Sequence, residues 1–380
     1  MLEKVIYLDN NATTKIDVRV LEAMMPYQLD EFGNASSVHQ FGLSINKVVE
    51  ESRAKVANLI RADANEIIFT SGATESINIA LIGFALANQN KGRHIITVET
   101  EHKAVLDTCK YLEEIGFDIS YLPVQKDGLL DLQDLRNALK NNTILVCVMF
   151  ANNEIGVIQP IKEIAKIAHD AGIIFFSDAT QAVGKVDIDI DDLAVDLMAF
   201  SGHKFYAPKG IGGLYVRGLK KGEIKLNPII HGGGQENGLR SGTLNVPGIV
   251  GIGKASEISK IEMKKDFERI STLRNELESE LLKHPAAFVN GAIENRMYNV
   301  SNICFPGIDA NLMIGRMKNI AASNGSACTS AIIEPSHVLK AISLTDDDAF
   351  ASIRFSLGRF NTKEEILSVV RIFNDCFDLV

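Results

Sequence analysis

IIFFSDATQ, residues 173–181, is a short apolar run that stops at a carboxylate. The run is rich in Ile and Phe and has no polar alternation, the pattern of a strand covered on both faces. A carboxylate directly after such a strand is costly to bury unpaired, so Asp178 reads either as a helix N-cap or as the partner of a cation. The same rhythm repeats on both sides. Apolar runs at 66–70, 94–98, 119–122, 143–150, 197–200 and 213–216 alternate with helical patterns at 75–88, 103–114, 132–140 and 161–171. This alternation predicts a large α/β domain built on a mostly parallel seven-stranded sheet.

The pattern changes near Pro247. A long helical region at 249–282 leads to strands at 298–305, 320–323 and 352–356 and helices at 310–318 and 364–377. The last helix opens on a capping box of Thr362 and Glu365. These elements predict a smaller α+β domain. The expected division gives residues 15–255 to the large domain and residues 1–14 with 256–380 to the small one.

The 380 residues carry a formal charge of -9, with acidic groups dispersed and no Lys/Arg cluster. Direct nucleic-acid binding and attachment to an anionic membrane are therefore not expected. The N-terminus has no secretory pattern, and no window reaches the length of a membrane span. Five scattered cysteines form no CxxC pair or Cys/His cluster, so no metal site is expected and a reducing cytoplasm is the simplest setting.

Three strand ends carry chemistry. After 67–70 come Ser71, Gly72, Ala73 and Thr74, a turn into a helix start where free backbone N–H groups suit a phosphate. On its own such a turn is more often an ordinary cap. The second end is Asp178. The third is Leu197–Lys204, LMAFSGHK, which places Ser201 and His203 beside a lysine at the end of a buried strand. A lysine in such surroundings can form a Schiff base, and an Asp facing a protonated pyridine nitrogen completes the pair that holds pyridoxal phosphate.

The sequence resembles the cysteine desulfurases of the NifS/IscS type, which have the fold type I architecture of pyridoxal-phosphate enzymes. The matching stretches include YLDNNATT (7–14), SGATESINIA (71–80), ETEHKAVLD (99–107), ANNEIGVIQP (151–160), DATQAVGK (178–185), SGHKFYAPKGIGGLY (201–215), HGGGQENGLRSGTLNVP (231–247), NGSACTSA (324–331) and SIRFSLGRFNTKEEI (352–366). The resemblance implies conversion of L-cysteine to L-alanine with pyridoxal 5'-phosphate as cofactor. Lys204 becomes the Schiff-base lysine and proton shuttle, Asp178 the pyridine partner, and His102 the ring-stacking acid/base. Gln181 and Asn153 are implied at the ring O3′, Asn153 also at the substrate. Ala73, Thr74, Ser201 and His203 are implied at the phosphate, joined by Thr243 from the second subunit of a homodimer. Arg354 is implied at the substrate carboxylate.

Four cysteines lie in apolar strands or amphipathic helices, whereas Cys328 sits in SNGSACTS (323–330), a small polar run that predicts a mobile loop with an exposed thiol. The resemblance makes Cys328 the persulfide carrier that hands sulfur to an acceptor protein. IscS-type chains commonly carry a C-terminal tail that docks an iron–sulfur scaffold, and this chain ends at Val380. The acceptor is left open among iron–sulfur cluster assembly, tRNA thiolation and DNA phosphorothioation. A selenocysteine lyase or an aminotransferase uses the same scaffold, but an aminotransferase has no need of Cys328. A non-catalytic scaffold has no need of Lys204 or Asp178.

Overall fold

The computed structural model describes residues 5–324 and 334–377. Seven strands form the main sheet: β1 Ile67–Thr70, β2 His94–Val98, β3 Asp118–Leu122, β4 Thr143–Cys147, β5 Ile174–Asp178, β6 Leu197–Ser201 and β7 Gly212–Val216. Their order is β1-β7-β6-β5-β4-β2-β3, and β7 alone runs antiparallel to its neighbours. Alternate residues of the central strands β5 and β6 enter different cores. Phe175, Met198 and Phe200 face one apolar cluster, while Phe176, Leu197 and Ala199 face the other. This two-sided burial explains the absence of polar alternation in the strands.

Two helices that the periodicity leaves unassigned, α1 Val18–Leu29 and α2 Gln40–Ile60, cover one face with the help of a long C-terminal helix. On the other face lie α3, Ala73–Asn78, and α4, Lys103–Glu114. The long helix α5, Val246–Leu281, runs unbroken through residue 255. The expected division into domains thus has no linker at that point and rests on the two sheets instead.

The second sheet joins β8 Phe288–Val289, β9 Val300–Cys304 and β10 Ser352–Ser356, all antiparallel, in the order β10-β9-β8. The last helix, α6 Lys363–Phe377, seals it through a cluster of Phe305, Phe355, Phe373 and Phe377. Its capping box forms as expected, with Glu365 N–H donating to Thr362 Oγ1 and Thr362 N–H donating to Glu365 Oε2. A two-residue strand, Ile6–Tyr7, pairs in parallel with Ile320–Ala321. This pairing brings the N-terminal segment to the carboxyl ends of the main strands, beside β10.

Candidate active site

Ligands bind open α/β sheets outside the carboxyl ends of their strands. Here the ends of β1, β5 and β6 open into one cavity of about 650 Å³. Ala73, Thr74, His102, Asn153, Asp178, Gln181, Ser201, His203, Lys204 and Arg354 all line it. Ten of the positions singled out in the sequence, drawn from six separate stretches, are therefore neighbours in space. Gly212, at the start of β7, lets the β1 turn approach closely: a Cβ there would lie 2.6 Å from Gly72 Cα and 2.6 Å from Phe200 O.

Lys204 follows β6 in a single 3-10 turn, Gly202–Lys204. Its Nζ donates to the carbonyls of Asn11 and Ala12, each at 2.7 Å. Burial, reinforced by the nearby Arg354 guanidinium, pushes its ammonium down to about 8. A substantial share of the amine is then neutral near physiological pH, the form a nucleophile or base requires.

Asp178 ends β5 and is 5% exposed. Its Oδ1 accepts from Thr180 N–H at 2.9 Å and from the Thr180 hydroxyl. Among the described residues the side chain of Asp178 makes no further hydrogen bond, so Oδ2 is free to accept from a protonated ring nitrogen. Gln181, one turn on, donates from Nε2 to Asn11 O at 2.9 Å and accepts at Oε1 from Lys185 Nζ at 2.8 Å.

His102 caps α4, its Nδ1 accepting from Ala104 N–H at 3.0 Å. That bond leaves Nε2 to carry the proton of the neutral ring. Desolvation by the cavity walls, ahead of the opposing pull of Asp178, lowers its pKa below the ordinary histidine value. Behind it the Glu101 carboxyl is wholly buried, accepts from Met149 N–H at 2.5 Å and is raised far above the usual carboxylate range by that burial. His203 bonds through Nδ1 to Thr13 Oγ1 at 3.0 Å, and burial takes its pKa down to about 4.

Arg354 lies on β10 and reaches across to the large sheet. Its Nη2 pairs with Asp9 Oδ1 at 2.7 Å and its Nη1 donates to Asn153 O at 3.1 Å. Its Nε is buried with no partner among the described residues. The backbone of Arg354 bonds in both directions with Ser323, the residue that leads toward Cys328. Cys328 itself lies outside the described residues.

Thr243 is exposed and does not line the cavity of its own chain. The glycine-rich loop that carries it is held at two points. Arg53 forms a double hydrogen bond with Glu236, 2.8 Å at each oxygen, and Arg240 pairs with Glu75 at 2.7 Å.

Two contributors escaped the sequence reading. The carbonyls of Asn11 and Ala12 hold Lys204, although the stretch YLDNNATT gave them no role. Lys185, buried beneath Gln181, reads in the sequence as an ordinary lysine.

The aminotransferase class-V family model matches residues 6–369. The cysteine desulfurase IscS of Ehrlichia chaffeensis is 51% identical over 364 residues, covering 95% of this chain and 88% of the relative. Among solved structures, a NifS-like protein superposes with a TM-score of 0.92 at 37% identity, covering 99% of this chain and 100% of its own. SspA in complex with cysteine gives a TM-score of 0.84 at 38% identity over 94% of this chain and 99% of its own. With the fold and the lysine–aspartate cavity in agreement, the chain belongs to the class-V aminotransferase family and, within it, to the pyridoxal-phosphate-dependent cysteine desulfurases.

Proposed function

We propose that the cavity takes L-cysteine, releases L-alanine and passes the sulfur to Cys328 as a persulfide, with pyridoxal 5'-phosphate held between Lys204 and Asp178. The observation that carries this reading is the pairing of a lysine amine lowered to about 8 with a buried carboxylate in one cavity. The donor set fits the cofactor: Asp178 Oδ2 is unengaged, and Ser201, His203 and the first turn of α3 lie together where a phosphate needs donors. When bound, pyridoxal phosphate supplies a carbonyl carbon for the substrate amine and a sink for the electron pair left at Cα.

The chain's own residues do the rest. Arg354 receives the substrate carboxylate, exchanging its Asp9 contact for it. Lys204, once released from the cofactor, takes the Cα proton. Asp178 keeps the ring nitrogen positive, Gln181 and Asn153 face the ring O3′, and His102 covers the ring. With its proton on Nε2, the neutral His102 ring is suited to donate a hydrogen bond to the substrate sulfur and stabilise its thiolate. The Cys328 thiolate then attacks the substrate sulfur. The S–S bond forms as the Cβ–S bond breaks, the electron pair stays on the carbon side, and a proton converts that carbon to the methyl group of alanine.

An uncovered apolar stripe supports a second copy of the chain. Val18, Leu21, Met25 and Leu29 share one face of α1 and are 62%, 44%, 44% and 63% exposed. A homodimer would cover this stripe and bring Thr243 to the partner's phosphate. The four described cysteines are free thiols, in keeping with a reducing cytoplasm, and among the described residues no helix is long and apolar enough to cross a membrane. We retain residues 15–255 as the cofactor-binding unit and 1–14 with 256–380 as the unit carrying Cys328.

Substitution of Lys204 by Ala tests the reading. The variant should remain folded, lose the visible absorbance of the lysine-bound cofactor and form no alanine from cysteine. Turnover at the wild-type rate would remove Lys204 from the mechanism.

A further inference from the structure

Lys185 is 5% exposed, one turn beyond Gln181. Its Nζ makes one hydrogen bond, to Gln181 Oε1 at 2.8 Å, and no ion pair among the described residues. The charges acting on it are the cations Lys204 and Arg354, which add to burial in pushing it down to about 7. A lysine buried among cations is an expensive way to fill space that a methionine would fill without the penalty.

What the position secures is the orientation of an amide. A glutamine can present either its oxygen or its NH2 group to a neighbour, and the choice is set by its partners. As an ammonium, Lys185 Nζ is a donor with no lone pair, so it holds Oε1 on its own side. On the other side stands Asn11 O, an acceptor already bonded to Lys204 Nζ, which takes one hydrogen of Gln181 Nε2 at 2.9 Å. Turning the amide over would set NH2 against a donor and Oε1 against a carbonyl. One Nε2 hydrogen is left, and Gln181 lines the cavity. The cavity therefore meets a hydrogen-bond donor at this point.

We propose that Lys185 is a positioning residue that locks Gln181 as a donor toward the cavity, so that the ligand oxygen opposite Gln181 is held as an anion. This rests on the pyridoxal-phosphate reading, in which that oxygen is the ring O3′. A donor there stabilises the oxygen's negative charge and weakens its hold on the proton shared with the Lys204 nitrogen. Removing the donor raises the pH at which that proton leaves.

The experiment is a pH titration of the visible absorbance of the cofactor-loaded enzyme, without substrate. It compares wild type, Lys185→Met, Lys185→Leu, Gln181→Ala and the Lys185→Met/Gln181→Ala double variant. The two apolar replacements of Lys185 are read side by side, so that a packing failure in one leaves the other. Lys185→Met and Gln181→Ala should each raise the midpoint by on the order of one pH unit, the size of a lost hydrogen bond to a charged oxygen. The double variant should titrate like Gln181→Ala alone. An unchanged midpoint in both Lys185 variants would overturn the proposal. So would a Lys185→Met shift that adds in full to that of Gln181→Ala, since the lysine would then act through its own charge. Failure of the underlying cofactor reading looks different: wild type mixed with pyridoxal phosphate then develops no lysine-dependent visible band at all.

Discussion

Replacing Arg53 by Met should destabilise the protein more than any exposed ion pair could. Arg53 and Glu236 have side chains 9% and 1% exposed and share two 2.8 Å hydrogen bonds. Arg53 also donates to Ile67 O at 2.9 Å, and Glu236 Oε2 accepts from Phe69 N–H at 2.7 Å. Without the guanidinium, the Glu236 carboxylate is left buried with one backbone donor, and breaking a buried pair in this way costs about 3–5 kcal/mol. With an unfolding entropy of about 2.1 cal/mol/K per residue, that loss lowers the thermal midpoint of a chain this long by about 4–6 °C. The assay is thermal unfolding followed by circular dichroism at one fixed protein concentration, since a dimer's midpoint depends on concentration. The Arg53→Met/Glu236→Leu double variant should melt above Arg53→Met, because removing both charges leaves no uncompensated carboxylate. An Arg53→Met midpoint within about 1 °C of wild type would refute the reasoning. So would a double variant no more stable than the single. The same loop carries Thr243, so Arg53→Met should also retain cofactor less well.

The ring of His102 has a pKa depressed below 6.5 by desolvation, so its neutral form persists as pH falls through 6.5. The acid limb of kcat/KM for cysteine should accordingly lie below pH 6.5, and His102→Gln should abolish that limb while lowering the rate about 10²–10⁴-fold. Equilibrium sedimentation at micromolar concentration should find a dimer, and Leu21→Glu/Met25→Glu, which charges the exposed α1 stripe, should yield monomers with reduced cofactor retention. A fully active monomer would rule out a shared site.

The sheet was legible because most of its strands are apolar on both faces, and a run such as IIFFS permits little else. Asp178 and Lys204 were legible for a related reason: charge directly after a buried strand demands a partner. The strand expected at 143–150 ends at Cys147, because Val148 and Phe150 follow β5 only through single bonds to Phe176 O and Asp178 O while the chain turns toward Asn153. Helices α1 and α2 are not marked by the strand–helix alternation, because both precede its first strand, β1. The pairing of Ile6–Tyr7 with Ile320–Ala321 joins segments from opposite ends of the chain and leaves no local pattern. Nor could the grip on Lys204 be read, because it is made by the backbone carbonyls of Asn11 and Ala12, and every residue carries a carbonyl. Lys185 was hidden for the opposite reason: a lysine after a glycine signals an exposed turn, whereas the fold buries this one beside Gln181.

The central claim is that sulfur leaves cysteine at the Lys204–Asp178 cavity and arrives on Cys328. Mass spectrometry of the cofactor-loaded enzyme after brief incubation with L-cysteine tests it directly. Wild type should carry one added sulfur atom, mapped to Cys328, with alanine formed alongside. Cys328→Ser should bind cofactor and substrate yet carry no added sulfur. Sulfur mapped to Cys109 or Cys376, with Cys328→Ser fully active, would contradict the account.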